Sequence, residues 1–164
     1  NADMFGKVCV VEYFFTTCES ICPVMNGNMK NVFETFKNEN DFLIVSHTCK
    51  PQEDSVPILK AYSKQMGSDN KHWIFVTGRK DSLYNMARFS YEIDDPKNAV
   101  DNIDDDFLHS QFFALVDKNG NVRAQVYDGL KKDDLDKLED DIRTLLKEKA
   151  NNTTFSNNLF GNNP

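Results

Sequence analysis

Two cysteines, Cys18 and Cys22, stand four positions apart in "TTCESICPVMNGNMKNVF" and are followed at once by Pro23. Thiols at that spacing can do two kinds of chemistry. If residues 18–22 approximate one helical turn, their Cα atoms lie about 6 Å apart, because four residues each rise 1.5 Å and nearly eclipse. That falls within the window of roughly 4.4–6.8 Å for a disulfide. The same turn lets two thiolates grip one small ion, and soft sulfur donors select Cu(I) or Zn(II) over hard cations. Proline suits the first position of a helix, which predicts Cys22 at the cap and both sulfurs beside N-terminal amides that favour a thiolate.

Two thiolates leave such an ion's shell incomplete, so a third donor is needed, and the chain has three histidines. His72 opens a strand-like run beside Trp73, where a surface or packing role suits it. His47 ends a second run, "DFLIVSH", near the reactive edge, where it could equally cap the strand. His109 lies where a long acidic segment re-enters the sheet, in "DDDFLHSQFFALVD". Residue type alone does not choose among them.

The elements that must position these groups are legible as alternating patterns. "VCVVEYFF" (8–15) reads as a strand buried on both faces of a parallel sheet, interrupted only by Glu12. A helix from Pro23 should bury Val24, Met29, Val32, Phe33 and Phe36, although Gly27 weakens the pattern. After "DFLIVSH", "DSVPILKAYSKQM" opens with an Asp/Ser cap and a proline near its start. "HWIFVTG" is a third strand. "RKDSLYNMARFS" predicts a short helix with Leu83, Met86, Ala87 and Phe89 inward. Residues 90–107 break the rhythm with a long acidic loop, of a length that is usually functional or mobile. "SQFFALVDKNGNVRAQVYDG" is a hairpin, with Asn-Gly supplying positive φ angles at the turn. Leu135, Leu138, Ile142 and Leu145 form the stripe of a closing helix. The order predicts an α/β fold of thioredoxin-like type: a mixed central sheet flanked by helices, with the acidic loop inserted before the C-terminal hairpin. One domain is expected over residues 1–149, with a polar tail at 150–164.

The chain has 164 residues, 40% hydrophobic and 27% charged, enough for one sizeable core. Its formal charge of -7 lacks the basic stripe that nucleic-acid binding requires. No apolar run reaches the roughly 20 residues of a membrane span. "FGKVCVVEYFF" begins a strand almost at once, so a leader or anchor is expected to have been removed. Four cysteines are too few for a disulfide scaffold at this size, which points to chemistry. "DKNGN" imitates a calcium loop, but its glycine comes two positions early and no glutamate closes it.

"VVEYFFTTCESICPVMNGNM", "SHTCKPQEDSVPILKAYSKQMG" and "FLHSQFFALVDKNGNV", in this order, resemble the Sco/SenC copper-chaperone family over roughly residues 6–148. The resemblance implies a thioredoxin-like domain in an oxidising compartment, on the periplasmic or cell-envelope face of a membrane, tethered by an N-terminal helix or lipid anchor. It implies copper, as Cu(I) and also Cu(II), held by Cys18, Cys22 and His109. It further implies delivery to the binuclear copper centre of cytochrome c oxidase, so that the copper-site subunit or another copper- or thiol-exchange protein is the expected partner. The chain departs from the family pattern at Leu108, where many relatives carry an acid, and at Lys50, where an aspartate precedes the proline.

The rival reading is a thiol-disulfide oxidoreductase, or a redox or copper sensor, with Cys18 and Cys22 as its redox-active pair. Such reductases place a cis-proline before the hairpin strand, yet no proline lies between Pro96 and Pro164. A peroxiredoxin needs a proline ahead of its cysteine, and none precedes Cys18. Cys9 alternates inside a strand and reads as structural. Cys49 lies at the same sheet edge as the pair, where it could be a resolving thiol or an extra ligand.

Overall fold

The computed structural model describes residues 4–108 and 110–150. A strand with apolar side chains on both faces belongs at the centre of a sheet, and Val8–Phe14 takes that place as β1, with all seven residues buried. It pairs in parallel with β2 (Phe42–Thr48). β3 (Trp73–Val76) lies outside β2, also parallel. On the other side, β4 (Phe112–Val116) runs antiparallel to β1, and β5 (Val122–Asp128) antiparallel to β4. The strand order is β3-β2-β1-β4-β5, the mixed central sheet that the alternating pattern predicts.

Helices α1 (Cys22–Phe36) and α2 (Val56–Met66) follow β1 and β2, and α3 (Lys80–Asn85) follows β3. α3 runs straight into a π-helical turn, Met86–Ser90, and α4 (Lys132–Lys147) closes the described chain. One apolar layer joins α1, Leu59 of α2 and Leu138, Ile142 and Leu145 of α4 to Val8, Val10 and Phe14. The opposite layer joins Leu83, Tyr84, Ala87, Tyr91, Ile93 and Leu108 to Cys9, Val11 and Tyr13.

Several details correct the sequence reading. Val24 is 57% exposed, and Met25 takes the inward place. The reason is helical phase: the buried stripe runs Cys22, Met25, Asn26, Met29, Val32, Phe33 and Phe36, and Val24 falls off it. The cap residue of α1 is Ile21, and Cys22 is already helical. Ser55 caps α2 by position without a side-chain hydrogen bond. Phe89 is 65% exposed while Arg88 is buried, because a π-turn adds a residue and rotates the next side chains out of the α-helical register. At the hairpin only Gly120 takes a positive φ, +83°. The turn closes through Gly120 N–H to Asp117 O (3.0 Å), and Asp117 N–H donates to Asn121 O (2.9 Å).

The acidic segment is anchored rather than loose. Buried Arg88 donates from Nε to Asp94 Oδ2 (2.7 Å) and from Nη1 and Nη2 to both oxygens of Asp106 (2.6 and 2.9 Å). Ser110 Oγ donates to Ile93 O (2.7 Å), so both ends of the segment are pinned to its start. The expected tail, from residue 151 onward, lies outside the described residues.

Candidate metal centre

β1 ends at Phe14, and the chain turns through residues 15–21 before α1 begins. Asp54, itself buried, holds this turn against the loop after β2. It accepts from Thr16 N–H (3.2 Å), from the Thr16 hydroxyl and from Thr48 Oγ1 (2.5 Å). Cys49 N–H donates to Phe14 O (2.7 Å), which ties the same two loops again.

All four cysteines are free thiols. α1 has no side-chain oxygen at its cap, and the sulfur of Cys18 takes part of that acceptor role. Burial alone would push the Cys18 thiol up. Hydrogen bonds from the Cys22 side chain and backbone, and then from Ser20, outweigh it and hold the thiol below its ordinary value. Ser20 Oγ lies 3.6 Å from the Cys18 sulfur. Cys22 is the opposite case: burial, and then its hydrogen bond to Cys18, push it up to about 12. The pair is therefore asymmetric, with a nucleophilic outer sulfur at Cys18, 9% exposed, and a protonated inner one at Cys22, 4% exposed.

This asymmetry sets an order of reactivity. Under limiting alkylating agent at neutral pH, the reduced protein should be labelled first at Cys18, then at Cys22, and last at Cys9 and Cys49. Burial raises the thiols of Cys22, Cys9 and Cys49 alike, so access decides among them: Cys22 is 4% exposed, Cys49 2% and Cys9 0%. Peptide mapping of the labelled protein checks this, and prior labelling of Cys22 would overturn the assignment.

Behind the pair lies a buried polar cluster that the sequence showed only as an interruption. Glu12 Oε1 accepts from Ser46 Oγ (2.5 Å), which in turn accepts from Trp73 Nε1 (2.8 Å). Asn26 Nδ2 lies 2.6 Å from Tyr62 Oη as its donor. Among the described residues, Glu12 Oε2 and Asn26 Oδ1 are buried without hydrogen-bond partners. Burial pushes the Glu12 carboxyl up to about 8, with the Ser46 bond pulling the other way.

The histidines separate. His47 points into the layer opposite the thiol pair, stacked on Tyr13 at 4.9 Å, with both ring nitrogens unpartnered. Burial pushes it down to about 4. His72 is buried with Nδ1 2.6 Å from Asp69 Oδ2, a packing role. His109 lies outside the described residues. Cys9 is fully buried in β1, as a structural residue should be. Cys49 belongs to the layer opposite Cys18 and Cys22. Among the described residues, no group of three or more His, Cys, Asp or Glu side chains forms a metal-holding set, so Cys49 does not complete the pair's shell in this arrangement.

Glu12 and His47 give stability opposite pH dependences. Glu12 binds its proton more tightly when folded, so its contribution is complete below about 4.5 and is lost as pH rises towards 8. His47 binds its proton less tightly when folded, so its contribution is complete above about 6.5 and is lost as pH falls towards 4. Urea unfolding across pH 4–9 should show Glu12→Gln abolishing the decline on the alkaline side and His47→Leu that on the acid side. Parallel curves for wild type and Glu12→Gln would show that the carboxyl titrates alike folded and unfolded.

The neighbours of position 109 meet the elements that carry the thiols. Phe107 packs edge-on against Phe15 at 5.6 Å between ring centroids, and Lys50 Nζ lies 4.7 Å from the Phe15 ring centre. On the other side, Gln111 O accepts from Gly129 N–H (2.8 Å), and Gly129 O accepts from Asn28 Nδ2 on α1 (2.8 Å).

The SCO1/SenC family model matches residues 1–147. The chain belongs to that family. It is 27% identical over 143 residues to the SCO1 protein homolog of Bacillus subtilis, covering 85% of this chain and 71% of that relative. It spans about three fifths of the length of the rickettsial SCO2-like proteins that it also matches. Among solved structures, a SCO1/SenC family lipoprotein from Bacillus anthracis superposes with TM-score 0.73 at 27% identity, covering 89% of this chain and 85% of that one. BsSco, a member of the Sco family of cytochrome c oxidase assembly proteins in which a disulfide switch is identified, gives TM-score 0.70 at 28% identity, covering 89% and 84%. Yeast Sco1 with copper bound shares the fold, with TM-score 0.64 at 24% identity over 87% and 80%. Membership in this family fixes the fold as thioredoxin-like.

Proposed function

We propose that this chain is a copper-binding chaperone that holds copper through Cys18, Cys22 and His109 and hands it on at a membrane face of the cell envelope, with the copper-centre subunit of cytochrome c oxidase as recipient. One observation carries the ligand set. Residues two places before and two places after His109 are fastened to the cysteine turn and to α1, through Phe107 on Phe15 and through Gln111, Gly129 and Asn28. Fastening of the flanking residues to the elements that carry the thiols supports His109 as the third donor. Two sulfurs and one imidazole nitrogen make a soft donor set suited to copper.

The chemistry supplied by the chain is that of the pair itself. Cys18 offers a thiolate first, and Cys22 must release its proton before it can ligate. A disulfide between them removes both thiolates, so the oxidation state of the pair gates loading. That gate is in keeping with the disulfide switch identified in BsSco. The deciding experiment is an anaerobic copper titration of the reduced protein with metal analysis, in competition with a Cu(I) chelator of known affinity. One tightly held copper per chain is the expected result. No bound copper at micromolar protein would instead support the thiol-disulfide oxidoreductase, which needs only the Cys18–Cys22 pair.

A further inference from the structure

The π-helical turn Met86–Ser90 does more than bury Arg88. Tyr91 N–H donates to Met86 O (2.8 Å), and the extra residue in that ring turns Phe89 outward until it is 65% exposed. Such turns inside helices are frequent at functional sites. Glu92 then holds a left-handed φ of +55°, a conformation that a non-glycine residue adopts at a cost and that clusters at ligand clamps. Ile93 returns to the apolar layer, 3% exposed, with its N–H on Ala87 O (2.9 Å). A phenylalanine and a carboxylate are thus turned out to solvent from one rigid base, because Arg88 is fastened to Asp94 and Asp106.

Phe112, which starts β4 and is 38% exposed, and half-buried Val126 of β5 line a groove of about 500 Å³ with Phe89, Ile93 and Glu92. Its apolar lining comes from the sheet and the π-turn, and its charge from the start of the acidic segment. Glu92, Asp94 and Asp95 all line it, and among the described residues that do so Arg88 is the sole cation. The charge of Arg88 is answered by Asp94 and Asp106, whereas Glu92 and Asp95 are exposed carboxylates. The groove therefore carries a net negative charge. β5 is also the edge of the sheet, so the backbone on its outer side is open to an extended chain.

We propose that this groove is a docking site for an extended basic segment of a partner protein. One aromatic or aliphatic side chain of that segment sits among Phe89, Phe112 and Val126, and flanking lysines or arginines face Glu92 and Asp95. Charge complementarity selects this occupant. A second copy of this chain, with its formal charge of -7, brings like charge to an acidic rim, and an anionic lipid surface does the same. The docking site goes beyond the copper-site reading and does not depend on it, since no residue of the groove is a proposed ligand.

Fluorescence anisotropy on the reduced, copper-free, full-length protein tests this. The probe is a labelled synthetic peptide in which lysines and threonines alternate around a central phenylalanine. Saturable binding is expected, and it should weaken as salt is raised to about 1 M, where the screening length falls to about 3 Å. Phe89→Ser alters a side chain outside both apolar layers and should weaken binding by about tenfold or more, the scale of a central apolar anchor. A double variant, Glu92→Lys with Asp95→Lys, should weaken it similarly and prefer a peptide with glutamates in place of the lysines. No binding to the wild type, wild-type affinity in Phe89→Ser, or equal wild-type affinity for the glutamate peptide would each overturn the proposal. Two controls identify other occupants. Dimerisation in sedimentation that Phe89→Ser abolishes would give the groove to a second copy, and Phe89-dependent binding to phosphatidylcholine vesicles would give it to lipid. Either result would overturn the basic segment as occupant.

Discussion

Serine at position 22 should abolish both the disulfide and tight copper binding, whereas alanine at position 109 should spare the disulfide and weaken copper. The two outcomes differ because the pair closes within its own turn, under the control of Thr16, Asp54 and the start of α1, with no group from the distal segment needed. Serine keeps the volume of cysteine but neither ionises in the accessible range nor offers a soft donor. Copper affinity in Cys18→Ser or Cys22→Ser should fall by more than about a hundredfold, beyond what outer-shell changes cost. In His109→Ala, two thiolates can still hold Cu(I) in near-linear coordination, so Cu(II) should suffer the larger loss. Titrations of the three variants in both oxidation states check this. Wild-type affinity in His109→Ala for both ions would remove the imidazole from the site.

The largest effect on stability should come from Arg88. Its guanidinium and the carboxylates of Asp94 and Asp106 are almost wholly buried, with side-chain exposures of 3%, 5% and 1%. Hydrogen bonds from Arg88, working against burial, hold the Asp106 carboxyl below its usual range. Arg88→Leu removes the cation and strands two buried carboxylates, which should cost about 3–5 kcal/mol. Arg88→Lys should rescue little of this, because a point charge cannot make the paired bonds to Asp106 while also reaching Asp94. Urea denaturation measures the loss, and amide exchange over residues 91–108 should rise with it. A loss under about 1 kcal/mol would mean that the segment is held by its apolar residues, Tyr91, Ile93 and Leu108.

The thiol pair is legible in the sequence because its chemistry is local: four residues and a proline state the geometry. The strands are legible because burial on both faces leaves a continuous apolar run, as at Val8–Phe14. Arg88 is not, since a π-turn moves the inward face by a position that no 3.6-residue pattern anticipates, exchanging Phe89 for an arginine. Glu12 reads as a blemish in a strand. Its role needs Ser46 and Trp73 on two further strands, and their side-by-side placement exists only once the sheet has formed. The bond from Asn28 to Gly129 spans 101 positions, and nothing in the neighbourhood of either residue announces it.

The central position of β1 has a consequence for the protein's biosynthesis. β1 and the cysteine turn leave the ribosome before β2 and β3, which can pair beside them, but β4 must wait for residue 116, antiparallel to Cys9. Between Cys22 and His109 lie 87 steps of synthesis, roughly 4–17 s at 5–20 residues per second. On the proposed ligand set, the nascent chain presents through that interval a thiol pair without its third donor. An encounter with oxidant closes a disulfide, while an encounter with metal yields only a two-sulfur grip. A chain oxidised in that interval needs a reductant before it can be loaded, and maturation follows the order in which the sheet is built.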